Sequence, residues 1–506
     1  MLNTPSKIRR GLIFFAFGKV SSAILGFMWL ALLVRYIEKK EFGIYIAFLS
    51  FIEIGSLLSS LGIFSFIQRY LPEYHLKGSR EIFRNILIKA IIFRLLTLCV
   101  FTGMVLIIYF YFGYKFSWIA SLGSIQIVVW FFILESMARF FDSIFDSLIQ
   151  QGYSQLISFI RNCSRIVWLY FIVNEIGLNA NDIMRLEAIL AGAIVISGCF
   201  VLWNYSKDLP IESQGLDIDF PKVVSFSMHN FGALAINQFS GFDALKLAIA
   251  YKLGSTAVAP YGLAQSIIEI IRRYMPLLFL LGFIRSIIVS DFTTNKNSDR
   301  VFKQGALLFK INTFILIPTM MFSIFLGHDI LKIWAGNKNY LEVADYLPFF
   351  LLTIQFQALR VLLSLFATVF ERGKIILIAT IYSLISILFT FLLLNYLGVY
   401  AALIGAFLGE AVYCRVLVNS LHLSWNSIFG GSVSYFKIIG ASILASLSAS
   451  KLLILFPPYA NKMWAISCAG ISFTIILLFI LYIFKPFSDE ERLKINRMLP
   501  LKIFVW

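Results

Sequence analysis

Arg161 and Arg165 stand four residues apart inside an apolar run, so on a helix they share one face. Two guanidinium groups on one face repel each other. Their burial is costly unless water or an anion reaches them. They belong to a larger set. The apolar runs carry the basic residues Lys19, Lys89, Arg94, Arg161, Arg165, Lys246, Arg272, Arg273, Lys310, Arg360 and Arg415, and the acidic residues Glu53, Glu135, Asp243, Glu269 and Glu410, with Glu175 and Glu187 at run ends. Some of these explain themselves. Asp243 and Lys246 are three apart and Glu269 and Arg273 four apart, spacings that allow local pairing. Lys89, Arg415 and Glu135 lie near run ends, where long side chains can reach water. The remaining basic surplus predicts a hydrated cavity that attracts an anion. Its candidate lining is Lys19, Arg94, Arg161, Arg165, Lys246, Arg272, Arg273, Lys310 and Arg360. Arginine suits phosphate oxygens through its planar donor fork, and lysine supplies a point charge.

Other chemistries find no support. The cysteines Cys99, Cys163, Cys199, Cys414 and Cys468 lie in apolar runs without CxxC spacing, and the four histidines are scattered, so no metal framework is expected. A glycine-rich phosphate loop of the P-loop type is missing. No paired carboxylates stand at a defensible catalytic spacing. The reading is of a chain with no cofactor and no catalytic site.

The elements that must position these charges follow from hydropathy. The 506 residues are 59% apolar and only 14% charged, where a soluble protein is nearer a quarter charged. Apolar runs of about 20 residues, the length that crosses a hydrocarbon layer, recur at 11–34, 43–65, 86–110, 118–138, 155–175, 186–204, 223–251, 259–283, 304–326, 347–369, 375–395, 400–420, 438–456 and 464–484. They predict an all-α polytopic membrane protein of about fourteen transmembrane helices, since helices satisfy every backbone group without water. The first run follows Lys7, Arg9 and Arg10, is too long for a signal segment and lacks a cleavage site. With the N-terminus inside, the inner loops hold more than twice the Lys and Arg of the outer loops, which predicts both termini in the cytoplasm. Basic loops account for the net charge of +16, and nucleic acid is not expected as a partner.

The chain also repeats itself. At an offset of 216 residues Tyr45 meets Tyr261, Ser50 meets Ser266, and Ile52-Glu53-Ile54 meets Ile268-Glu269-Ile270. Arg69 then meets Arg285, Arg84 meets Arg300 and Arg94 meets Lys310. The offset spans six helices, an even number, so the two copies share one orientation and form a parallel repeat. The expected organisation is an N-terminal six-helix lobe over 1–204, a linker over 205–222, a second six-helix lobe over 223–421, two additional helices over 437–484 and a tail over 485–506. Pro276 and Pro318 fall inside the eighth and ninth spans, where each would bend its helix.

Three segments carry a family resemblance. These are Gly18-Lys19-Val20-Ser21-Ser22-Ala23-Ile24-Leu25-Gly26, followed by Arg35 and Glu41-Phe42-Gly43-Ile44-Tyr45; Phe242-Asp243-Ala244 through Tyr261-Gly262-Leu263-Ala264; and Ile330-Leu331-Lys332-Ile333-Trp334-Ala335-Gly336. The chain resembles the Wzx-type oligosaccharide flippases of polysaccharide biosynthesis, within the multidrug/oligosaccharidyl-lipid/polysaccharide exporter superfamily. The resemblance implies two six-helix lobes working by alternating access in a bacterial inner membrane. The cargo it implies is an undecaprenyl-pyrophosphate-linked oligosaccharide, a unit of O-antigen (as in lipopolysaccharide biosynthesis) or of a similar surface polysaccharide. A polysaccharide polymerase and a chain-length regulator are its implied partners. Cation coupling is proposed for such proteins, and Asp243 and Glu269 are the candidates here. Two alternatives stand beside this reading: a drug–cation antiporter of the same superfamily, which the positive charge disfavours, and a multi-span polymerase or glycosyltransferase, which the short outer loops disfavour.

Overall fold

The computed structural model describes residues 5–112, 124–148, 151–172, 178–210, 220–279, 298–335, 340–370, 372–424, 432–455 and 462–498. Among them the chain is all helix, apart from a single bridge between Ile37 and Leu178. The helices are α1 (Pro5–Tyr36), α2 (Lys39–Leu58), α3 (Ile63–Lys77), α4 (Arg80–Phe112), α5 (Ile125–Ser147), α6 (Gln151–Ile172), α7 (Ala180–Tyr205), α8 (Phe220–Ser240), α9 (Phe242–Leu253) and α10 (Ser255–Arg272). They continue as α11 (Ser298–Trp334), α12 (Glu342–Val369), α13 (Gly373–Ser383), α14 (Ile385–Leu397), α15 (Tyr400–Ser420), α16 (Ser432–Leu455), α17 (Lys462–Phe484) and α18 (Asp489–Met498).

Over the described residues, every predicted span falls mainly on helix. Nine helices among the described residues are long and apolar enough to cross a membrane. Helices α5 and α6 are not among the nine, because the residues that the ion pairs need interrupt their apolar character. Helix α4 shows the opposite case. Its exposed face is a ladder of Ile92, Leu96, Val100 and Ile107, suited to lipid.

Four predicted spans are interrupted among the described residues, the eleventh only by a turn at Leu384 between α13 and α14. The second ends at Leu58, and the chain turns through Leu61 (φ 44°) and Gly62 (φ 86°) before α3. Glycine takes this left-handed conformation without steric cost. The seventh divides at Gly241 into α8 and α9. The eighth ends at Arg272, ahead of a single turn over Pro276–Phe279. Proline has no N–H to continue the ladder and pushes Met275 away from helical angles. Pro318, by contrast, sits inside an unbroken α11.

Some helix starts lie near the 216-residue offset and others drift from it. Helix α2 begins at Lys39 and α10 at Ser255, a difference of 216, and α5 and α12 begin at Ile125 and Glu342, a difference of 217. Helices α4 and α11 begin at Arg80 and Ser298, a difference of 218, and α7 and α15 at Ala180 and Tyr400, a difference of 220.

The chain forms two compact units, Met1–Gly262 and Leu263–Trp506. In the first, α5 packs on α7, α1 on α6, and α2 on α9. A core of Phe131, Phe140, Phe141 and Phe145 from α5 is fully buried. In the second unit α12 and α15 share a core with Val301 and Phe309 of α11. Helices α16 and α17 are not loose additions. Ala441, Ala445 and Ala449 bring α16 close, and clusters around Ile438 and Leu326 join α16 and α17 to α11.

Candidate functional site

Within the first unit the buried charges assemble into one network. Helix α6 presents Arg161 and Arg165 on one face, as their spacing requires. Arg161 Nη2 donates to Glu135 Oε2 and to Glu187 Oε2, each at 2.6 Å. Arg165 Nη2 donates to Glu187 Oε2 at 2.7 Å, and its Nη1 donates to Asn162 Oδ1 at 2.9 Å. Tyr45 Oη donates to Glu187 Oε1 at 3.3 Å. From Glu135 the chain of charge continues to Arg139, whose Nε donates at 3.3 Å, and Arg139 Nη1 pairs with Glu53. Trp29 lies beside the Arg165 guanidinium, 5.8 Å from ring centre to Cζ.

Three arginines and three glutamates therefore balance. This corrects the expectation that Arg161 and Arg165 need water or a ligand as their anion: Glu187, fully buried at the first turns of α7, and Glu135 supply it. The fourth predicted span stops at 138, one residue short of Arg139, and Glu187 reads as a run end. The four-residue spacing of Glu135 and Arg139 is the signal that could have joined them.

The network ends at a polar cleft. A cavity of about 340 Å³ is lined by Glu53, Ser56, Gln68, Arg139, Asn237 and Gln238, with Leu57, Phe64, Ser143 and Leu234. The side chains of Glu53 and Arg139 remain 42% and 28% exposed, so the pair faces the cleft rather than the core. From the cleft, Gln238 Nε2 donates to Asp243 Oδ2 at 3.3 Å, and Asp243 in turn pairs with Lys246 at 2.8 Å. The lining supplies donors and acceptors of both signs, which suits a ligand bearing hydroxyl and anionic groups.

Arg94 stands one layer behind the cleft wall. It is fully buried, and no acidic side chain pairs with it among the described residues. Lys19 lies on α1, and its side chain is outside the described residues.

In the second unit the candidate residues are held apart by local partners. Arg272, not Arg273, takes Glu269, at 2.9 Å. The expected four-residue pair fails because α10 ends at Arg272 and Arg273 lies in the turn beyond, exposed. Arg360 pairs with Glu410 at 3.3 Å and stacks 4.0 Å above the Tyr413 ring. Lys310 pairs with Glu491 of α18 at 2.7 Å, with Phe487 beneath it. The basic surplus read from the sequence is thus reduced by Arg360–Glu410, by Arg272–Glu269 and by a tail residue outside the spans.

Residues 8–280, more than half of the chain, match the family described as polysaccharide biosynthesis protein. The chain belongs to that family. Residues 235–397 also match the MatE family. No curated protein matches the chain in sequence. Among solved structures, the lipid II flippase MurJ in an inward closed conformation is similar, with a TM-score of 0.69 and 15% identity over 93% of this chain and 98% of that one. An inward-facing multidrug resistance MATE family transporter of the MOP superfamily is similar at 0.56 and 13% identity, over 83% and 95%. The MATE multidrug transporter DinF-BH is similar at 0.52 and 14%, over 83% and 96%. Sequence identities this low establish the shared fold. The family match and the shared fold agree, and the solved chains that share this fold are a flippase and transporters.

Proposed function

We propose that this family member moves an undecaprenyl-pyrophosphate-linked oligosaccharide, a unit of O-antigen or a similar surface polysaccharide, from the cytoplasmic to the periplasmic leaflet. The polar cleft beside the ion-pair network, in a chain of the polysaccharide biosynthesis family, carries this reading. A sugar headgroup cannot enter hydrocarbon unless its hydroxyls find partners on the way. Glu53, Gln68, Asn237 and Gln238 offer such partners, and Arg139 adds a guanidinium for an anionic group. Alternating access between two six-helix lobes, 1–204 and 223–421, is the motion, with both termini in the cytoplasm of an inner-membrane protein. A polymerase and a chain-length regulator act on the product. Asp243 and Glu269 are the sites proposed for cation coupling, and each already pairs with a basic neighbour that a cation could displace.

The test is a deletion strain complemented with the wild-type chain or with Asn237→Ala. Deletion should abolish the surface polymer and accumulate lipid-linked units facing the cytoplasm, and Asn237→Ala should restore export only in part. Normal surface polymer after deletion overturns the function. The match of 235–397 to the MatE family favours one second reading, a drug–cation antiporter. Under it, deletion raises drug susceptibility and leaves the polymer intact.

A further inference from the structure

Arg94 and Lys310 occupy equivalent positions of the repeat, 216 residues apart. Both are buried, Arg94 completely and Lys310 to 5% exposure. Their surroundings differ. Lys310 receives a carboxylate from Glu491. Arg94 receives only neutral oxygens: Nη2 donates to Ser56 O at 2.9 Å and Ser56 Oγ at 2.8 Å, and Nη1 donates to Ser59 Oγ at 3.1 Å. Its Nε, also buried, has no partner among the described residues. The Phe64 ring lies 5.2 Å from the guanidinium. One copy of this position is charge-balanced and the other is not.

The two hydroxyls on Arg94 are also unequal. Ser59 Oγ spends its proton on Gly55 O at 2.6 Å. Ser56 Oγ accepts from Arg94 and has no acceptor for its own proton among the described residues. Of the two, Ser56 is the one that lines the cleft, as does Phe64. A hydroxyl whose oxygen is held by a guanidinium is polarised toward donation, and donation to an ionised acceptor is the stronger kind of hydrogen bond.

We infer that Ser56, backed by Arg94, is an anion subsite of the cleft, and that it takes the diphosphate of a prenyl-linked substrate. The subsite rests on the flippase reading for the identity of its ligand, but not for its existence. The competing role for Arg94 is to cap the carbonyl end of α2 through Ser56 O, where a cation is favoured by the helix dipole. The cap requires neither hydroxyl to face the cleft.

The full chain in lipid nanodiscs should bind inorganic pyrophosphate by calorimetry. Ser56→Ala keeps the cap to Ser56 O and should weaken binding about tenfold, the worth of one charge-assisted hydrogen bond. Ser59→Ala, which removes the hydroxyl away from the cleft, should bind as the wild type does. Farnesyl diphosphate should compete with pyrophosphate. Equal binding by Ser56→Ala and wild type overturns the subsite, as does a wild type that binds no pyrophosphate; neither result touches surface polymer export, which tests the flippase reading separately. Pyrophosphate binding without competition by farnesyl diphosphate overturns the assignment to a prenyl-linked ligand.

Discussion

Arg161 and Glu187, twenty-six residues apart in the sequence, meet at 2.6 Å in the interior of the first unit. The Glu187 side chain is fully buried, and it serves Arg161, Arg165 and Tyr45 at once. A single carboxylate thus holds the arginine pair of α6 against α7 and α2. Through Arg161, Glu135 and Arg139 the same network runs to Glu53 at the cleft. The inner end of the network is sealed and the outer end is accessible, so the two ends should respond differently to substitution.

Glu187→Gln should be severely destabilising. It removes the fully buried charge that neutralises two largely buried guanidinium groups, and breaking a buried pair from one side costs about 3–5 kcal/mol. Thermal unfolding of the purified protein should show a lowered midpoint and poor yield from membranes. An unchanged midpoint would mean that Glu135 alone suffices for Arg161 and that Arg165 finds another anion.

Glu53→Gln should behave in the opposite way. The Glu53 carboxylate is almost half exposed, and a pair of that kind contributes roughly 0–1 kcal/mol. The unfolding midpoint should stay within a few degrees of wild type. Export of surface polymer should fall, because Arg139 loses the partner that orients it toward the cleft. The readouts are a thermal melt and a surface polysaccharide assay on the same variant. A stable variant with full export would remove Glu53 from the site.

The helices are legible in the sequence because hydropathy over twenty residues is a local signal. Arg161 and Arg165 are conspicuous because their spacing forces a shared face. The arrival of Glu135 and Glu187 from α5 and α7 is not legible, since pairing across helices depends on packing and leaves no spacing in the chain. Arg139 escapes for a related reason: α5 continues to Ser147, well past the point where apolarity fades. The helix persists there because Phe140, Phe141, Ile144 and Phe145 pack its inner face into the core, between polar residues that lower the hydropathy. The Lys310–Glu491 pair, 181 residues apart, lies beyond any local reading. The break of the eighth span after Arg272 is signalled by Pro276, which by sequence alone reads only as a bend.

Gly43→Ala should disturb the packing of α2 more than Gly262→Ala. A methyl group at Gly43 would overlap the backbone carbonyl of Ser255, which cannot move without shifting the start of α10. A methyl group at Gly262 would meet the side chain of Ile46 rather than backbone. Overpacking costs about 1–3 kcal/mol, with the rigid neighbour giving the higher figure. Thermal melts of the two variants should rank Gly43→Ala below Gly262→Ala. The reverse order would show that α10 yields more readily than Ile46.

Glu491→Gln should loosen the tail helix from α11. Lys310 is 6% exposed on its side chain, while Glu491 is 26% exposed, so the loss falls on a buried ammonium left without its carboxylate. The tail also contributes Phe487 and Ile495 to a cluster with Leu307, and that apolar contact should survive the substitution. The expected result is partial: a lowered melting midpoint and faster proteolysis of α18, without loss of the fold. Lys310→Met alone removes the buried charge and should cost less than Glu491→Gln, because an apolar side chain tolerates the site whereas an unpaired ammonium does not. The double variant should recover most of the stability lost in Glu491→Gln. A double-variant cycle with no coupling between Lys310 and Glu491 would place the hold of the tail in Phe487 and Ile495 alone.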